Sequence, residues 1–169
     1  VATDGGRLAA AVSALEAQGG TAFGTTLDVR DATQWPIAVK AVEDALGPIQ
    51  LLFLNAGAQG GRKPVEEIGL DEWSWVWDVN VDGVFLGLKT CLPAMKARGL
   101  PGHIMATGSA AGMFPRPMSS AYGAAKGAVL GLFEALALEL ADTPISTSVL
   151  SPAIVRTGMN ETMKRHAPA

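Results

Sequence analysis

Segments with the apolar spacing of helices alternate with short apolar runs along this chain, and this alternation constrains the fold more than any other feature of the sequence. The helical segments are 5–18, 31–46, 71–97 and 120–141. The apolar runs are 21–29, 49–57, 102–109 and 144–152. Short connections between them favour parallel strands joined by crossover helices. The alternation therefore predicts the α/β class, with a doubly wound parallel sheet between two layers of helices (α/β/α).

Local signals sharpen three of these segments. The run 49–57 is apolar until its final turn, as expected of a strand that is buried on both faces. In the segment 31–46, Asp31 is a suitable N-terminal cap, and Pro36 comes early enough to be tolerated. The segment 71–97 has helical spacing throughout, so we expect one long helix there.

Composition limits the classes of function. With 169 residues, 49% hydrophobic and 17% charged, the chain is long enough for one compact domain with a substantial core. A net charge of −3 without a basic stripe argues against nucleic-acid binding. Cys91 is the only cysteine, which excludes an intramolecular disulfide and a cysteine-rich metal site, and we expect no metal. Without a secretory signal or an apolar run of about 18 residues, we expect a cytoplasmic protein with no membrane span.

Tyr122 and Lys126 lie in the stretch "SSAYGAAKGA", in which all other residues are small. Residues four apart share one face of a helix, so the phenol and the ammonium are expected to be neighbours. An ammonium favours the ionised form of a nearby phenol, which can then exchange a proton with an alcohol or a carbonyl. Taken alone, the pair also fits an exposed tyrosine beside a solvated lysine.

Ser109 ends a predicted strand and lies thirteen residues before Tyr122. Its hydroxyl could hydrogen-bond a substrate oxygen on which charge develops, and a serine in a turn is the alternative. A hydrolytic nucleophile elbow is excluded, because that motif requires glycine where this chain has Thr107. His103, at the start of its strand, and His166, near the C-terminal end, are poorly placed to serve as the base of a hydrolytic triad.

Asn80 lies on the apolar stripe of the segment 71–97. Asparagine is a poor helix former and must be paired when it is buried. The sequence leaves two interpretations open. One is a core asparagine that satisfies backbone groups, and the other is an amide that opens the helix and orders a water near a site.

Further candidates lie where predicted strands end, since ligands of doubly wound sheets bind beyond the carboxyl ends of the strands. Asp28 and Val29 end one run, and Asn55, Ala56 and Gly57 end the next. Small residues at such a position allow close approach of a ligand. A capping role for Asp28 and a simple strand-ending turn for the second group are the structural alternatives.

Taken together, these motifs resemble those of the short-chain dehydrogenase/reductase family, in its shorter-chain branch. The matching pieces, in the family's order and spacing, are "LDV" (27–29), "NAG" (55–57), "NVDGVF" (80–85), "GSAAG" (108–112), "YGAAK" (122–126) and "SPAIVRT" (151–157). The resemblance covers nearly the whole chain. It implies a Rossmann-type fold, a nicotinamide cofactor and hydride transfer between that cofactor and a substrate carbon.

The resemblance also implies a role for each candidate. By this likeness Tyr122 is the general acid/base, Lys126 supports the phenolate and the nicotinamide ribose, Ser109 orients the substrate oxygen, and Asn80 supports a water of the proton relay. The implied cofactor contacts are Asp28, Val29, Asn55, Ala56, Gly57, Tyr122, Lys126, Pro152, Val155 and Thr157. The first two would meet the adenine, the next three the adenine ribose, and the last three the nicotinamide. The small residues around the tyrosine would let the nicotinamide and its ribose lie close to the helix.

Two departures from the family pattern qualify these expectations. Ala153 follows Pro152 where the family has glycine, and alanine strains the backbone there only if φ is positive. The Gly-rich turn that cradles the pyrophosphate, and the family's closing elements, have no counterpart in 1–169. We therefore expect 1–169 to be a single Rossmann-type domain, incomplete at both ends, that by itself binds a dinucleotide poorly.

The choice between NAD and NADP depends on the residue that ends the family's second strand, close to the start of this chain. If Asp4 holds that place, its carboxylate could accept from the ribose hydroxyls, which favours NAD. If the chain is aligned on Leu8, Asp4 is the next turn residue, and Ala2 and Thr3 hold the place. We expect NAD or NADP, with NAD favoured.

The expected walls of a substrate pocket are 58–69, 110–119 and the segment after Thr157. The middle wall, "AAGMFPRPMS", is mostly apolar, which favours a hydrophobic or aryl secondary alcohol or ketone.

Two helices are candidates for contacts between subunits. The segment from Gly127 to Ala141 is apolar nearly all round and needs cover on several sides. By resemblance, helices 71–97 and 120–141 form a homodimer or a homotetramer. The alternatives to an oxidoreductase are a non-catalytic NAD(P) sensor or scaffold, and a sugar-nucleotide epimerase or dehydratase.

Overall fold

The structure is a computed structural model that describes residues 1–153 and 155. Its α-helices are α1 (Gly5–Glu16), α2 (Gln34–Leu46), α3 (Leu70–Trp77), α4 (Gly83–Arg98) and α5 (Ser120–Glu139). Its strands are β1 (Leu51–Leu54), β2 (Gly102–Thr107) and β3 (Ile145–Leu150). Short 3₁₀ turns at Val65–Glu67 and Ala110–Gly112, and a π-helix at Asp78–Asp82, complete the helical structure of this part.

The strands form one parallel sheet in the order β1-β2-β3. Leu51 pairs with His103 at the start of the first ladder, and Gly102 pairs with Ile145 at the start of the second. Each connection between neighbouring strands contains a helix, as parallel pairing requires. The carboxyl ends of the strands therefore meet at one edge of the sheet, where such folds bind ligands. The predicted α/β class with a parallel sheet is confirmed.

One face of this sheet carries the hydrophobic core. The buried strand residues on this face are Leu52, Leu54, Ile104, Ala106 and Ile145. They share a cluster with buried side chains of α2, α4 and α5, which are Trp35, Ala38, Val84, Leu88, Cys91, Met95, Val129, Phe133 and Leu136. Each large apolar side chain buried here contributes about 2 kcal/mol. This packing fixes α4 and α5, and with them the candidate residues on α5.

The expectation that no apolar run is long enough for a membrane span does not hold for helix α5. It has 20 residues and a mean hydropathy of 1.3, so by length and composition alone it could cross a membrane. Its side chains Val129 and Phe133 are nevertheless buried in the core cluster, at 0% and 3% exposure. One face of the helix is therefore packed in the core, while 33% of its apolar window is buried in the described structure.

The opposite face of β1 differs from the expectation. Leu51 and Phe53 are 60% and 45% exposed, whereas Leu52 and Leu54 are buried. Successive side chains of a strand point to opposite faces, and the core cluster covers only one face of the described sheet. The prediction that this strand is buried on both faces is therefore wrong for the described part of the chain.

The segment 21–29 does not form the predicted strand. Its ladder pairing, within the described residues, is one isolated parallel bridge between Thr26 and Ala2. Leu27 N donates to Ala2 O at 3.0 Å, and the Leu27 side chain is buried. The pairing goes no further because the partner backbone turns into α1 at Asp4, whose side chain accepts from Arg7 N.

Helix α2 begins at Gln34, three residues later than predicted. The Asp31 carboxylate accepts from the backbone N–H and the hydroxyl of Thr33, and from the side-chain amide of Gln34. Such bonds build a local turn that competes with helix. Asp31 therefore shapes the turn that precedes the helix.

Candidate active site

Lys126 is the buried charge at the centre of the candidate site. Its side chain is 2% exposed, and its Nζ donates to the Thr107 carbonyl at 2.7 Å. The same Nζ lies 5.8 Å from the centroid of the Tyr122 ring. The four-residue spacing on α5 thus places phenol and ammonium side by side, and the lysine is not solvated.

Burial changes the acidity of this lysine. Desolvation lowers the pKa of Lys126 from 10.5 to about 8. An ammonium has three donors, and within the described chain the Thr107 carbonyl is its one hydrogen-bonded acceptor. The site therefore holds a protonated amine at neutral pH with donors left for a ligand.

Asn80 sits in the π-helix that interrupts the predicted long helix. Its side chain is fully buried, and its Nδ2 donates to the carbonyls of Val76 at 2.7 Å and Ala58 at 2.6 Å. Its Oδ1 accepts from Ala58 N at 3.4 Å. The amide occupies the Val76 carbonyl, which the backbone N–H of residue 80 would use in a regular α-helix. The predicted long helix over 71–97 is thus present as a continuous helical run from Leu70 to Arg98, with a π-helical segment that was not predicted. Both interpretations of Asn80 hold in part, since its amide satisfies backbone groups and widens the helix.

Gly57 lies between the side chains of Asn80 and Lys126. A Cβ at Gly57 would lie 3.2 Å from Asn80 Oδ1 and 3.6 Å from Lys126 Nζ. Asn55 Oδ1, next to it at the end of β1, accepts from the Thr107 hydroxyl at 2.8 Å. Asn55, Ala56 and Gly57 are exposed. The carboxyl ends of β1 and β2 thus present an open floor of small residues beside the buried amine.

Ser109 begins the short turn that follows β2. Its Oγ accepts from Ala111 N at 3.1 Å, and Ala110 N donates to the Pro152 carbonyl at 3.0 Å. Among the described residues no hydrogen bond joins Ser109 to Tyr122. The hydroxyl and the phenol lie on adjacent elements, since the turn packs on α5.

Two glycines of the tyrosine stretch contact a neighbouring turn, which was not predicted. A Cβ at Gly123 would lie 3.2 Å from Ala111 O, and one at Gly127 would lie 3.4 Å from Gly112 O. A Cβ at Gly112 would lie 2.7 Å from the backbone carbon of Lys126. The absence of side chains at these glycines therefore admits the backbone of the turn 110–112 against the helix.

Asp28 is already paired. Both of its carboxylate oxygens accept from the Arg30 guanidinium, with a closest distance of 2.6 Å, and these bonds lower the pKa of Asp28. The Val29 carbonyl accepts from Trp35 Nε1 at 2.9 Å. A Cβ at Gly83 would meet Val29 at 2.9 Å, which places Val29 beside the C-terminal end of the π-helix.

The remaining cofactor candidates lie at the end of β3. Pro152 is half-buried, and Val155 is 51% exposed. Thr157 lies outside the described residues. In residues 1–153 and 155 no group of His, Cys, Asp and Glu side chains could hold a metal ion.

Thr107 and Glu72 contribute to this region without having been predicted. Thr107 acts through its carbonyl and its hydroxyl. Every residue has a backbone carbonyl, so the identity of residue 107 could not predict that its carbonyl binds Lys126. The Glu72 carboxylate accepts from Gly61 N and Lys63 Nζ. Glu72 lies four residues before Val76 and eight before Asn80, and this helical spacing could have indicated that the three side chains share one face.

The residues present fit a nicotinamide dinucleotide. A buried amine with donors to spare lies beside an open floor of short side chains at the carboxyl edge of a parallel sheet. This arrangement defines an α/β protein of the dinucleotide-binding type.

Comparison with known proteins identifies the family. Residues 1–168 match the family model described as short chain dehydrogenase. The chain is 34% identical over 151 residues to the C alpha-dehydrogenase of Sphingobium sp. strain SYK-6, covering 89% of this chain and 50% of that protein. It is 37% identical over 139 residues to the trans-4-hydroxycyclohexanecarboxylate dehydrogenase of Sinomonas cyclohexanicum, covering 82% and 52%. The chain belongs to the short-chain dehydrogenase family, and it spans about half the length of these curated relatives.

Solved structures show the same fold. A short-chain dehydrogenase/reductase from Burkholderia phymatum in complex with NAD matches with a TM-score of 0.91 at 35% identity, covering 99% of this chain and 60% of that one. A gluconate 5-dehydrogenase from Burkholderia cenocepacia in complex with NADP and tartrate matches with a TM-score of 0.88 at 29% identity, covering 95% and 62%. The Rossmann-type fold implied by the motifs is confirmed.

Proposed function

We propose that this protein is an NAD(P)-dependent oxidoreductase that transfers hydride between the nicotinamide and a secondary alcohol or ketone, with Tyr122 as general acid/base. The observation that carries the proposal is the buried Lys126 ammonium, 5.8 Å from the Tyr122 ring and hydrogen-bonded to Thr107 O. Burying an amine without a carboxylate partner costs stability, so a purely structural role gives no reason to retain it. Membership in a dehydrogenase family supports the same conclusion.

The bound nicotinamide would supply the hydride acceptor or donor. Tyr122 would take the proton of the alcohol hydroxyl, or return it to the carbonyl oxygen. The Lys126 ammonium lies 5.8 Å from the Tyr122 ring centroid and would offer its free donors to the ribose hydroxyls. The Ser109 hydroxyl would hydrogen-bond the substrate oxygen. Asn80 holds the backbone at Ala58 and would support a water of the proton relay.

Exposed apolar side chains support a hydrophobic or aryl substrate. Met113, Phe114 and Met118 follow the turn that bears Ser109, and they are 48%, 68% and 42% exposed. Apolar groups beside a few polar ones are typical of small-molecule sites. The relative from Sinomonas is named for a cyclic hydroxy acid, and its name is consistent with a secondary alcohol as the substrate class proposed here.

The proposed preference for NAD requires that Asp4, rather than Ala2 and Thr3, holds the place that ends the family's second strand. Asp4 Oδ1 accepts from Arg7 N at the start of α1, and its Oδ2 makes no hydrogen bond in the described chain. A free carboxylate oxygen at this place would accept from ribose hydroxyls and repel a phosphate.

We also propose self-association through α4 and α5. Phe85 on α4 and Leu138 on α5 are 50% and 80% exposed, and Trp75 on α3 is 42% exposed. A homodimer or homotetramer would bury these side chains, and analytical ultracentrifugation would measure it.

The test is turnover by the protein from the complete reading frame on a panel of secondary aryl alcohols and ketones, with NAD and with NADP, followed by nicotinamide absorbance. We expect activity with at least one pair, and Tyr122→Phe to lower kcat about 10²- to 10⁴-fold. Lys89→Met is the matched control for Lys126→Met. Lys89 also lies near an aromatic ring, with its Nζ 5.9 Å from the Phe85 ring centroid, but Lys89 is exposed whereas Lys126 is buried. Full activity of Tyr122→Phe would refute the assignment, and cofactor binding without any turnover would favour a sensor.

A further inference from the structure

One face of the helix that carries Asn80 contacts the loop 57–63 along its length. Glu72, Val76 and Asn80 recur every four residues and therefore share a face. Asn80 holds both backbone groups of Ala58, as described above. The loop follows β1 directly and forms part of the expected substrate pocket.

Glu72 holds the other end of this loop. Its Oε1 accepts from Gly61 N at 2.5 Å, and its Oε2 pairs with Lys63 Nζ at 2.7 Å. The Glu72 and Lys63 side chains are 21% and 43% exposed. The bond with Lys63, followed by the bond with Gly61, lowers the pKa of Glu72, so the carboxylate is charged at neutral pH.

Between these two anchors the backbone runs close to the helix. Gly60 has φ 71°, a conformation that favours glycine. A Cβ at Gly60 would lie 3.0 Å from Glu72 Oε1 and 3.0 Å from Val76 Cγ2. The loop thus passes over Val76 with no side chain between, and its path is set by the contacts at both ends.

We propose that Glu72 is a positioning residue of the active site, which fixes the loop 57–63 and thereby sets the affinity for substrate. The inference rests on the proposed function, because the loop is a pocket wall only if the carboxyl edge of the sheet binds substrate. Without Glu72 the loop keeps its anchor at Asn80, beside Lys126, and loses the anchor at Gly61. The substrate KM should therefore rise, while kcat, which depends on Tyr122 and Lys126, should change little.

The kinetic test uses the protein from the complete reading frame with 1-phenylethanol and NAD as probes. We expect Glu72→Ala to raise the KM for 1-phenylethanol about fivefold, with kcat within about twofold and the KM for NAD unchanged. Glu72→Gln keeps an oxygen for Gly61 N, so a smaller rise is expected. The control is Asp44→Ala, which removes a carboxylate from an exposed pair with Lys40 of the same 2.7 Å length and should change neither constant.

A second measurement does not depend on activity. Trypsin can cut after Arg62, whereas Pro64 protects the bond after Lys63. We expect Glu72→Ala to be cut after Arg62 several times faster than the wild type, with cleavage elsewhere unchanged. Equal cleavage rates, or a fall in kcat with KM unchanged, would overturn the role of Glu72. Faster cleavage of a protein that turns over no alcohol would support the anchor and refute the proposed function instead.

Discussion

Replacement of Lys126 by methionine tests the central observation through stability rather than through activity. The folded-state pKa of Lys126 is lowered from 10.5 to about 8 by burial. Between about pH 8 and 10.5 the unfolded chain therefore binds more protons at this lysine than the folded chain does. The wild type should gain stability as pH rises through this window, because the cost of burying the charge disappears.

The magnitude follows from the shift. Each pKa unit corresponds to about 1.36 kcal/mol, so this lysine contributes a change of about 3 kcal/mol over the whole window. Lys126→Met removes the titration and also leaves the Thr107 carbonyl without its donor, a loss of about 1–3 kcal/mol that does not depend on pH.

The assay is urea unfolding of the cofactor-free wild type and Lys126→Met at several pH values from about 7 to about 9.5. In the difference in unfolding free energy between the two proteins, the contributions of the other titrating groups to the pH dependence cancel. We expect this difference to shift in favour of the wild type by about 2 kcal/mol across that range. Lys89→Met should show no such trend. A difference that stays constant with pH would refute the burial of a charged amine.

Three further predictions test the surrounding structure. Gly112→Ala should lower the unfolding free energy by about 1–3 kcal/mol, because its Cβ would lie 2.7 Å from a backbone carbon of α5. Gly131→Ala is the control, because a Cβ there has nothing within 4 Å, and it should be neutral or stabilising. Thermal unfolding of both variants measures the difference. Asn80→Ala should cost about 2–3 kcal/mol in urea unfolding, because it leaves buried backbone groups without partners, and a loss below about 0.5 kcal/mol would contradict this account. Asp28→Asn should raise the KM for NAD and leave kcat unchanged, if the Asp28 carboxylate contacts the adenine. The same change should break the ion pair with Arg30. An unchanged KM for NAD, together with an unchanged NMR signal of the Arg30 side chain, would contradict both expectations.

Much of the fold was predictable because its signals are local. Periodic apolar residues gave α5 and α4, and β2 and β3 lie within their predicted runs. The pairing of Tyr122 with Lys126 follows from helical spacing alone. That Lys126 is buried could not be deduced in the same way, because a lysine in an apolar run is compatible with either a solvated or a buried amine until the neighbours at Gly57 and Thr107 are known.

The features that the sequence did not predict depend on contacts distant along the chain. The segment 21–29 has strand-forming residues, but a strand requires a partner, and among the described residues its pairing is limited to Ala2. The π-helix arises where the Asn80 amide takes a carbonyl one turn back and binds Ala58, which lies 22 residues away in sequence. The contact between the glycines of the tyrosine stretch and the turn 110–112 was not predicted, because helical spacing says nothing about which other segment packs on the helix.

The contact between that turn and α5 has a consequence for protein engineering. A Cβ at Gly123 or Gly127 would approach main-chain oxygens of the turn, so the spacing between the turn bearing Ser109 and the helix bearing Tyr122 depends on these positions having no side chain. The residues that follow, 113–118, are all exposed, but Met118 has a positive φ of 61°, which most side chains disfavour. A library that varies 113–117 and keeps Met118 and the glycines fixed should therefore change substrate preference while the hydroxyl and the phenol keep their relative positions.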